Sequence, residues 1–598
     1  MISRPDSRWV LAPLLAVAAL ATLPAMAGED SVKAALVAAR AALKRNDGIA
    51  AEAELNKALE GGVSRAYVAA WMGRAKLLQG DSHAARDWLA PRQFAPSMRG
   101  EGFRTLGELE LGEGNLDAAG KAYDRALESM KGDSGLWVDI GRMRYRGGEQ
   151  NKAIDAARQA LRLDPQNVRA LEFRGQLLRD SGGPAAALPY FARGLKLAPD
   201  DLPLLGEFAG SLGELGKGKA FLLTTRHMIK VDDRNAQAFF LQSVLAARAG
   251  NDDLARRLLW RTRDGLRGVP AVRLLQGVLD LRAGNNSTAV EAFDELSREQ
   301  PDNARIRLLL AEALAQDGAY RELVERFADL ADRADASPYL LTLVGRAQEA
   351  LGDRASAARY LDRAAGPLPR SLVPRGESTG VEVLRARWMS DPDIVKNSIA
   401  FSRALLANGQ VAEGVQVAER LRSNFPGAAD LQLLAADSRF LARDHAGALA
   451  LYRQSAAIRL SHPLLRRMIA AHLAMGQDVA ARALLQSYFV QHPLDGEAAA
   501  MLAEEALTRK DWRRANDLFE HAMVQGGGQR DPRLLAGLAL ARLGLGDRNG
   551  AMSIASNAYL MQRMNGYSAF VLGQVLATMP GKQVAARQFL SKSAHMGI

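Results

Sequence analysis

The 598-residue sequence contains no cysteine and only eight histidines. The absence of cysteine excludes disulfide bonds, thiolate nucleophiles and cysteine-ligated zinc. His462, His472 and His492 are not three or four residues apart, and no His-Glu-x-x-His sequence occurs. Paired carboxylates such as Glu504 and Glu505 lie at adjacent helical positions and point apart. We therefore expect no metal site, no cofactor and no acid–base catalytic pair.

Long runs of basic residues are also missing. Lysine and arginine together number 78 against 67 acidic residues, which gives a formal net charge of +11. A positive field favours anionic partners such as acidic proteins or acidic glycans. Because no basic run reaches five residues, nucleic acid is not expected among those partners.

One apolar stretch stands out, at the N-terminus. Arg4 and Arg8 precede the apolar segment Val10–Leu23, and Ala25 and Ala27 supply the small residues of a cleavage site. This order is typical of a secretory signal peptide covering residues 1–27, with cleavage after Ala27. An uncleaved anchor is the alternative, but a membrane span requires about 20 apolar residues. The sequence thus predicts an exported, periplasmic protein.

A 34-residue repeat dominates the rest of the chain. Glycine recurs at this interval nine times, and Asn46 occupies the same register one interval upstream. Glycine accepts the left-handed backbone that ends a helix, so each is predicted to terminate the first helix of a helical hairpin. The glycines are Gly80, Gly114, Gly148, Gly182, Gly216, Gly250, Gly284, Gly318 and Gly352.

Small and large residues recur in the same register. A small residue precedes each turn glycine by seven positions, as at Gly107, and a larger residue follows it by nine, as at Tyr123. Small residues let two helices approach closely, and the larger side chain fills the space beside that contact. Prolines such as Pro165 and Pro199 stand where the second helix ends.

The unit at residues 134–167 combines Trp137, Gly141, Gly148 and Pro165, and on such units the chain resembles the tetratricopeptide repeat family. The resemblance implies an all-α, right-handed superhelical solenoid of about 16 helical hairpins. Prolines and glycines between 366 and 391 interrupt the repeat. We therefore predict an N-terminal solenoid at 28–371, a linker at 372–394 with one extra helix from Val381 to Met389, and a C-terminal solenoid at 395–598.

The resemblance also implies where a ligand would bind. In this family the first helix of each hairpin lines a concave groove, which binds proteins or extended peptides. Val138 and Arg142 occupy positions where chaperone-binding members carry lysine and asparagine, so chaperone tails are not expected. The residues predicted to face the groove and contact a partner are Arg74, Arg104, Arg142, Tyr145, Arg179, Arg346 and Arg403.

Two short motifs imitate catalytic sequences. Asp180–Gly183 matches the surroundings of a serine protease nucleophile, and Gly213–Lys219 resembles a phosphate-binding loop. Each contains a periodic turn glycine, no strand pattern precedes either one, and Ala220 replaces the hydroxyl residue of a phosphate loop. Both are interpreted as hairpin turns, and the repeat leaves little room for a catalytic domain in the C-terminal solenoid.

The sequence therefore favours a non-enzymatic scaffold for protein interactions in the bacterial cell envelope. An alternative is a component of exopolysaccharide or envelope-polymer export that contacts an acidic polymer or its secretion machinery, which the positive charge would suit.

Overall fold

The computed structural model describes residues 29–262, 265–301, 303–333, 336–365, 379–526 and 531–597. The predicted signal peptide and the first part of the predicted linker lie outside these residues. Within them the fold is all-α, with 33 α-helices, a 3₁₀ turn at Pro96–Met98 and no strand. None of these helices has the length and apolarity needed to cross a bilayer.

The described residues divide into two compact units, the first ending at residue 143 and the second beginning at residue 144, and the boundary falls within α7. Helices α1 to α7 are α1 Glu29–Lys44, α2 Gly48–Glu60, α3 Arg65–Leu78, α4 Ser82–Leu89, α5 Arg99–Gly112, α6 Leu116–Met130 and α7 Ser134–Arg146.

The second unit contains the remaining helices. They are α8 Gln150–Leu163, α9 Val168–Gly182, α10 Pro184–Leu197, α11 Leu202–Glu214, α12 Gly218–Val231, α13 Ala236–Arg248, α14 Asp252–Trp260, α15 Pro270–Ala283, α16 Asn286–Glu299, α17 Ala304–Asp317, α18 Tyr320–Asp332, α19 Pro338–Ala350, α20 Arg354–Ala365, α21 Val381–Ser390, α22 Val395–Ala407, α23 Val411–Asn424, α24 Ala429–Leu441, α25 His445–Ile458, α26 His462–Ala474, α27 Asp478–Gln491, α28 Gly496–Thr508, α29 Trp512–Gly526, α30 Pro532–Gly544, α31 Arg548–Met561, α32 Gly566–Ala577 and α33 Gln583–His595.

Consecutive helices form hairpins, and the described helices make 16 of them with α21 left over. Eight of the nine periodic glycines adopt a positive φ between 68° and 89°, and Asn46 does so at 58°. The exception is Gly182, the last residue of α9. There Gly183 takes the positive φ, 85°, because Pro184 disfavours a helical backbone in the residue before it.

The interior of each hairpin follows the predicted pairing of a small with a large residue. A Cβ added to Gly107 would lie 2.5 Å from the ring of Tyr123, and one added to Gly277 would lie 2.7 Å from the ring of Phe293. Both rings are fully buried. Ser243 occupies the small position in α13, and its hydroxyl donates to the carbonyl of Ala255 at 2.7 Å. Close helix contact therefore depends on the small residue at this position.

Two rows of turns contact each other within the second unit. The first turn row comprises the α7–α8, α9–α10 and α11–α12 turns, and the second comprises the α23–α24, α25–α26 and α27–α28 turns. The Leu460 amide donates to the Asp180 carbonyl at 2.8 Å. The amide of Gln150, oriented to donate, lies 3.1 Å from the Gly427 carbonyl. A Cβ on Gly216 would lie 3.5 Å from Leu494 Cδ2.

These contacts join segments on either side of the predicted linker at 372–394. The linker contains the predicted extra helix, which runs over Val381–Ser390 as α21. The division between residues 143 and 144 was not anticipated from the sequence, because no change in composition or repeat spacing marks it.

Candidate binding surface

Within each unit, first helices of several successive hairpins contact one another, and the surface of the first helices is what we term the first-helix face. In the first unit α1 contacts α3 and α3 contacts α5, and in the second unit α9, α11, α13 and α15 continue the pattern. Residues one repeat apart on this face are therefore neighbours. Charged side chains at these positions can bind each other across the gap between repeats.

In the first unit the predicted contact residues Arg74 and Arg104 belong to one charged network. Arg74 Nη1 lies 2.5 Å from Glu108 Oε2, and Arg104 Nε lies 3.9 Å from Glu108 Oε1. Arg104 also donates to Asp139 through Nε at 2.8 Å and through Nη2 at 2.7 Å. The network joins α3, α5 and α7, so both arginines are already bound to carboxylates of neighbouring repeats.

The Arg104–Asp139 pair is the most deeply buried part of this network. The exposed fraction is 14% for the Arg104 side chain and 4% for Asp139. Burial alone would lower the pKa of Arg104, but the charges of Asp139, Glu108 and Asp133 outweigh it and raise that pKa. A buried ion pair of this kind is costly to break from one side, because the remaining charge loses its partner.

In the second unit Tyr145 and Arg179 are also bound to acidic residues. The Tyr145 hydroxyl donates to Asp180, and burial together with that carboxylate raises the pKa of Tyr145 to about 12. Arg179 Nη1 lies 2.5 Å from Glu207 Oε2, and Gln176 donates to the other oxygen of Glu207 at 2.9 Å. Because its pKa is raised to about 12, Tyr145 stays protonated at neutral pH and acts as a hydrogen-bond donor.

The remaining predicted contact residues are engaged as well. Arg346 is exposed and lies 2.6 Å from Glu349 in the next turn of α19. Arg142 interacts with neighbouring residues, and the charge of Arg403 acts on the buried Asp437. The seven predicted residues thus lie on first helices, three of them in the first unit and four in the second.

Asp437 is a buried polar residue that the sequence did not single out. Only 4% of it is exposed, and burial raises its pKa despite the opposing charge of Arg467. Arg467 Nε lies 2.8 Å from Asp437 Oδ1, which also accepts the Tyr452 hydroxyl at 2.7 Å. Asp437 therefore joins α24, α25 and α26.

Neither motif that imitates a catalytic sequence forms the corresponding site. The Ser181 hydroxyl donates within α9 to the Leu177 carbonyl at 3.1 Å. The segment Gly213–Lys219 covers the turn between α11 and α12. In the part of the chain that the structure describes, no group of three or more histidine and acidic side chains could hold a metal ion.

Comparison with known proteins agrees with this architecture. The tetratricopeptide repeat family profile matches residues 138–201, 274–340 and 399–460, so the chain contains tetratricopeptide repeats and the predicted resemblance is confirmed. It has no match among curated protein sequences. Tetratricopeptide arrays typically provide surfaces for binding proteins and peptides.

Several solved structures are similar to this chain at low sequence identity. The Cut9–Hcn1 hetero-tetramer of the APC/C is 15% identical, with coverage of 94% of this chain and 93% of that chain and a TM-score of 0.37. A tetratricopeptide repeat protein from Parabacteroides merdae ATCC 43184 is 18% identical over 39% and 91%, with a TM-score of 0.29. YrrB, a TPR protein with an unusual peptide-binding site, is 22% identical over 30% and 91%, with a TM-score of 0.24.

Proposed function

We propose that this chain is a non-enzymatic scaffold of the bacterial cell envelope that binds proteins or extended peptides along its first-helix face. The observation that carries the proposal is that, within each unit, charged side chains on the first helices are bound across repeats. Such a face offers positively charged donors and negatively charged acceptors at the spacing of a single repeat. This arrangement suits a protein partner, which carries charges of both signs.

The exchange of ion pairs provides a binding mechanism. The Arg74–Glu108 pair is partly exposed, with exposed fractions of 31% and 21%, and the Arg179–Glu207 pair has similar values of 27% and 23%. A partner carrying a carboxylate near an amine can take over both members of such a pair at once. Partly exposed pairs contribute little stability, so exchanging them costs the scaffold little.

The pairing of these arginines with carboxylates gives less support to the alternative function. That alternative is the binding of an acidic polymer in an export system. A polyanion would have to displace carboxylates from Arg74, Arg104 and Arg179 while leaving those carboxylates uncompensated beside it. Like charges held close together are unfavourable. We also propose that the protein is located in the periplasm, because residues 1–27 resemble a secretory signal peptide.

The test is affinity capture of the C-terminally tagged full chain from crosslinked envelope fractions of its host, with proteins and glycans both identified. Arg74→Gln combined with Arg179→Gln removes two charges from the first-helix face. Arg125→Gln combined with Arg298→Gln removes the same charge from exposed positions on the second helices α6 and α16. We expect a small set of envelope proteins that the first double variant loses and the second retains.

Equal loss with both double variants would contradict a role for the first-helix face, and retention of an acidic glycan with no consistent protein partner would favour polymer export. Cell fractionation with N-terminal sequencing tests the location. A periplasmic chain that begins at Gly28 is the expected product, and a cytoplasmic chain that retains Met1 would contradict export.

A further inference from the structure

A cleft lies beside the contact between the two turn rows. It has a volume of about 340 Å³ and opens among α8, α9 and the end of α25. Most of its wall comes from α8 and α9, and the distant segment contributes the remainder. The lining residues are Asn151, Ile154, Asp155, Arg158, Arg174, Ser181 and Ala457.

The ionised side chains of the cleft carry an excess of positive charge. Two of the lining residues are arginines and one is an aspartate. Arg158 Nη1 lies 3.2 Å from Asp155 Oδ1, so one positive charge is compensated locally. The guanidinium of Arg174 makes no hydrogen bond or ion pair with any residue that the structure describes, although its side chain is partly buried.

An unpaired charge withdrawn from water is unfavourable unless a counter-charge approaches it. Most arginines considered above are bound to a carboxylate of their own or a neighbouring repeat, so Arg174 differs from them. The Ser181 hydroxyl donates its proton to the Leu177 carbonyl, so the charged donors on the cleft wall are the two arginine side chains. The cleft thus presents the unpaired guanidinium of Arg174 together with that of Arg158, which Asp155 compensates.

We propose that this cleft binds one small oxyanion, a carboxylate or a phosphate group, through Arg174 with help from Arg158. A guanidinium presents two parallel N–H donors, which match the oxygens of either group. A volume of about 340 Å³ is at the lower end of ligand pockets, so it fits a small molecule or a single charged group and not a folded partner.

Binding at this place would also act on the contact between the turn rows. The occupant touches walls from α8 and α9 on one side and from α25 on the other, so it binds the closed arrangement in preference to one in which the rows separate. A ligand that prefers one state shifts the population toward it. The amide of Leu460, which donates to Asp180, reports on that contact.

The experiment is calorimetric titration of the full chain with inorganic phosphate and, separately, with glucuronate, at constant ionic strength set with sodium chloride. We expect saturable binding of one equivalent of at least one of the two, and which one binds distinguishes a phosphate from a carboxylate ligand. Arg174→Gln should weaken it by about tenfold or more, as expected for the loss of a charge-assisted hydrogen bond. Arg162→Gln, which changes an exposed arginine of α8 bound to Gln159, should leave it unchanged.

Hydrogen exchange at the Leu460 amide supplies a second readout. An anion concentration near the dissociation constant of the unaltered chain should slow it in the unaltered chain and in Arg162→Gln, and much less in Arg174→Gln. Arg158→Gln provides a second test if the Arg174 variant folds poorly. Absence of saturable binding of both anions, or equal weakening by the Arg162 variant, would overturn the proposal. These results do not depend on partners of the first-helix face, so they stand apart from the test of the proposed function.

Discussion

Removal of the buried carboxylate at Asp139 is the sharpest test of the charged network in the first unit. Asp139→Asn keeps the size of the side chain and one acceptor for Arg104, but it removes the negative charge. The matched control is Glu128→Gln, which removes the same charge from an exposed pair whose side chains are 59% and 55% exposed. Both positions lie on helices of the first unit.

The expected cost follows from burial. Breaking a buried ion pair from one side costs about 3–5 kcal/mol, whereas an exposed pair contributes about 0–1 kcal/mol. Asp133, at 3.3 Å, and Glu108, at 3.9 Å, still oppose the charge of Arg104. We therefore expect Asp139→Asn to cost about 3 kcal/mol, near the lower limit, and Glu128→Gln to cost less than about 1 kcal/mol.

Repeat arrays open locally, so the assay must be local too. Hydrogen exchange of amides in α5 should accelerate by about a hundredfold in Asp139→Asn, which is the factor that about 3 kcal/mol implies. The double variant Arg104→Met, Asp139→Leu should recover most of the loss, because apolar replacement of both partners removes the uncompensated charge. Equal exchange rates in Asp139→Asn and Glu128→Gln would refute the reasoning.

Three further predictions concern glycine contacts and pH. In denaturant unfolding, Gly107→Ala should destabilise the first unit by about 1–3 kcal/mol, because the added methyl group meets a buried ring. The control Gly112→Ala, which has open space around it, should be neutral or stabilising. Burial alone would lower the pKa of His462, but two carboxylates raise it to about 9, so its contribution to stability should be full below about pH 6.5 and lost as the pH rises through 9. Gly183→Ala and Gly352→Ala both force alanine into a positive φ, 85° and 89°. Only Gly183→Ala should speed hydrogen exchange in the second turn row, because its methyl group meets Gln491 whereas Gly352 has open space around it.

Each of these predictions has a distinct contrary result. Equal unfolding free energies for the two α5 glycine variants would contradict tight packing at the small position. An unchanged unfolding free energy between pH 6 and pH 9.5, or the same pH dependence in His462→Gln, would contradict the role of the histidine. Equal exchange in the two turn variants would mean that the methyl group at position 183, 2.7 Å from Gln491 Cβ, does not disturb the contact.

The repeat was predictable because each hairpin is determined by local rules. A positive φ at the turn and a small residue beside a large one recur every 34 residues, and Gly107 with Tyr123 shows both the spacing and its physical cause. The shift from Gly182 to Gly183 was also accessible, since Pro184 restricts the residue before it.

The binding partners of two predicted arginines, Arg74 and Arg104, are accessible through the same spacing. Glu108 follows Arg74 by 34 residues, and Asp139 follows Arg104 by 35. Aligning the sequence of each first helix with that of the next therefore pairs these two arginines, whereas Arg179 and Glu207 are 28 residues apart and are not found in this way. Asp437 is harder to find, because the residues that bury and bind it come from three helices and only their packing places them together.

The contact between the turn rows could not be read from the sequence, because it depends on the rotation that accumulates over many hairpins. Its separations are nevertheless regular: 277 residues from Gln150 to Gly427, 280 from Asp180 to Leu460 and 278 from Gly216 to Leu494. Seven and a half hairpins of 34 residues account for about 255 residues, and the segment containing α21 supplies the remainder. The register of the contact is therefore fixed by the number of hairpins together with α21. A change in either would misalign the two rows, and the cleft between α8, α9 and α25 with them, while leaving the interior of each hairpin intact.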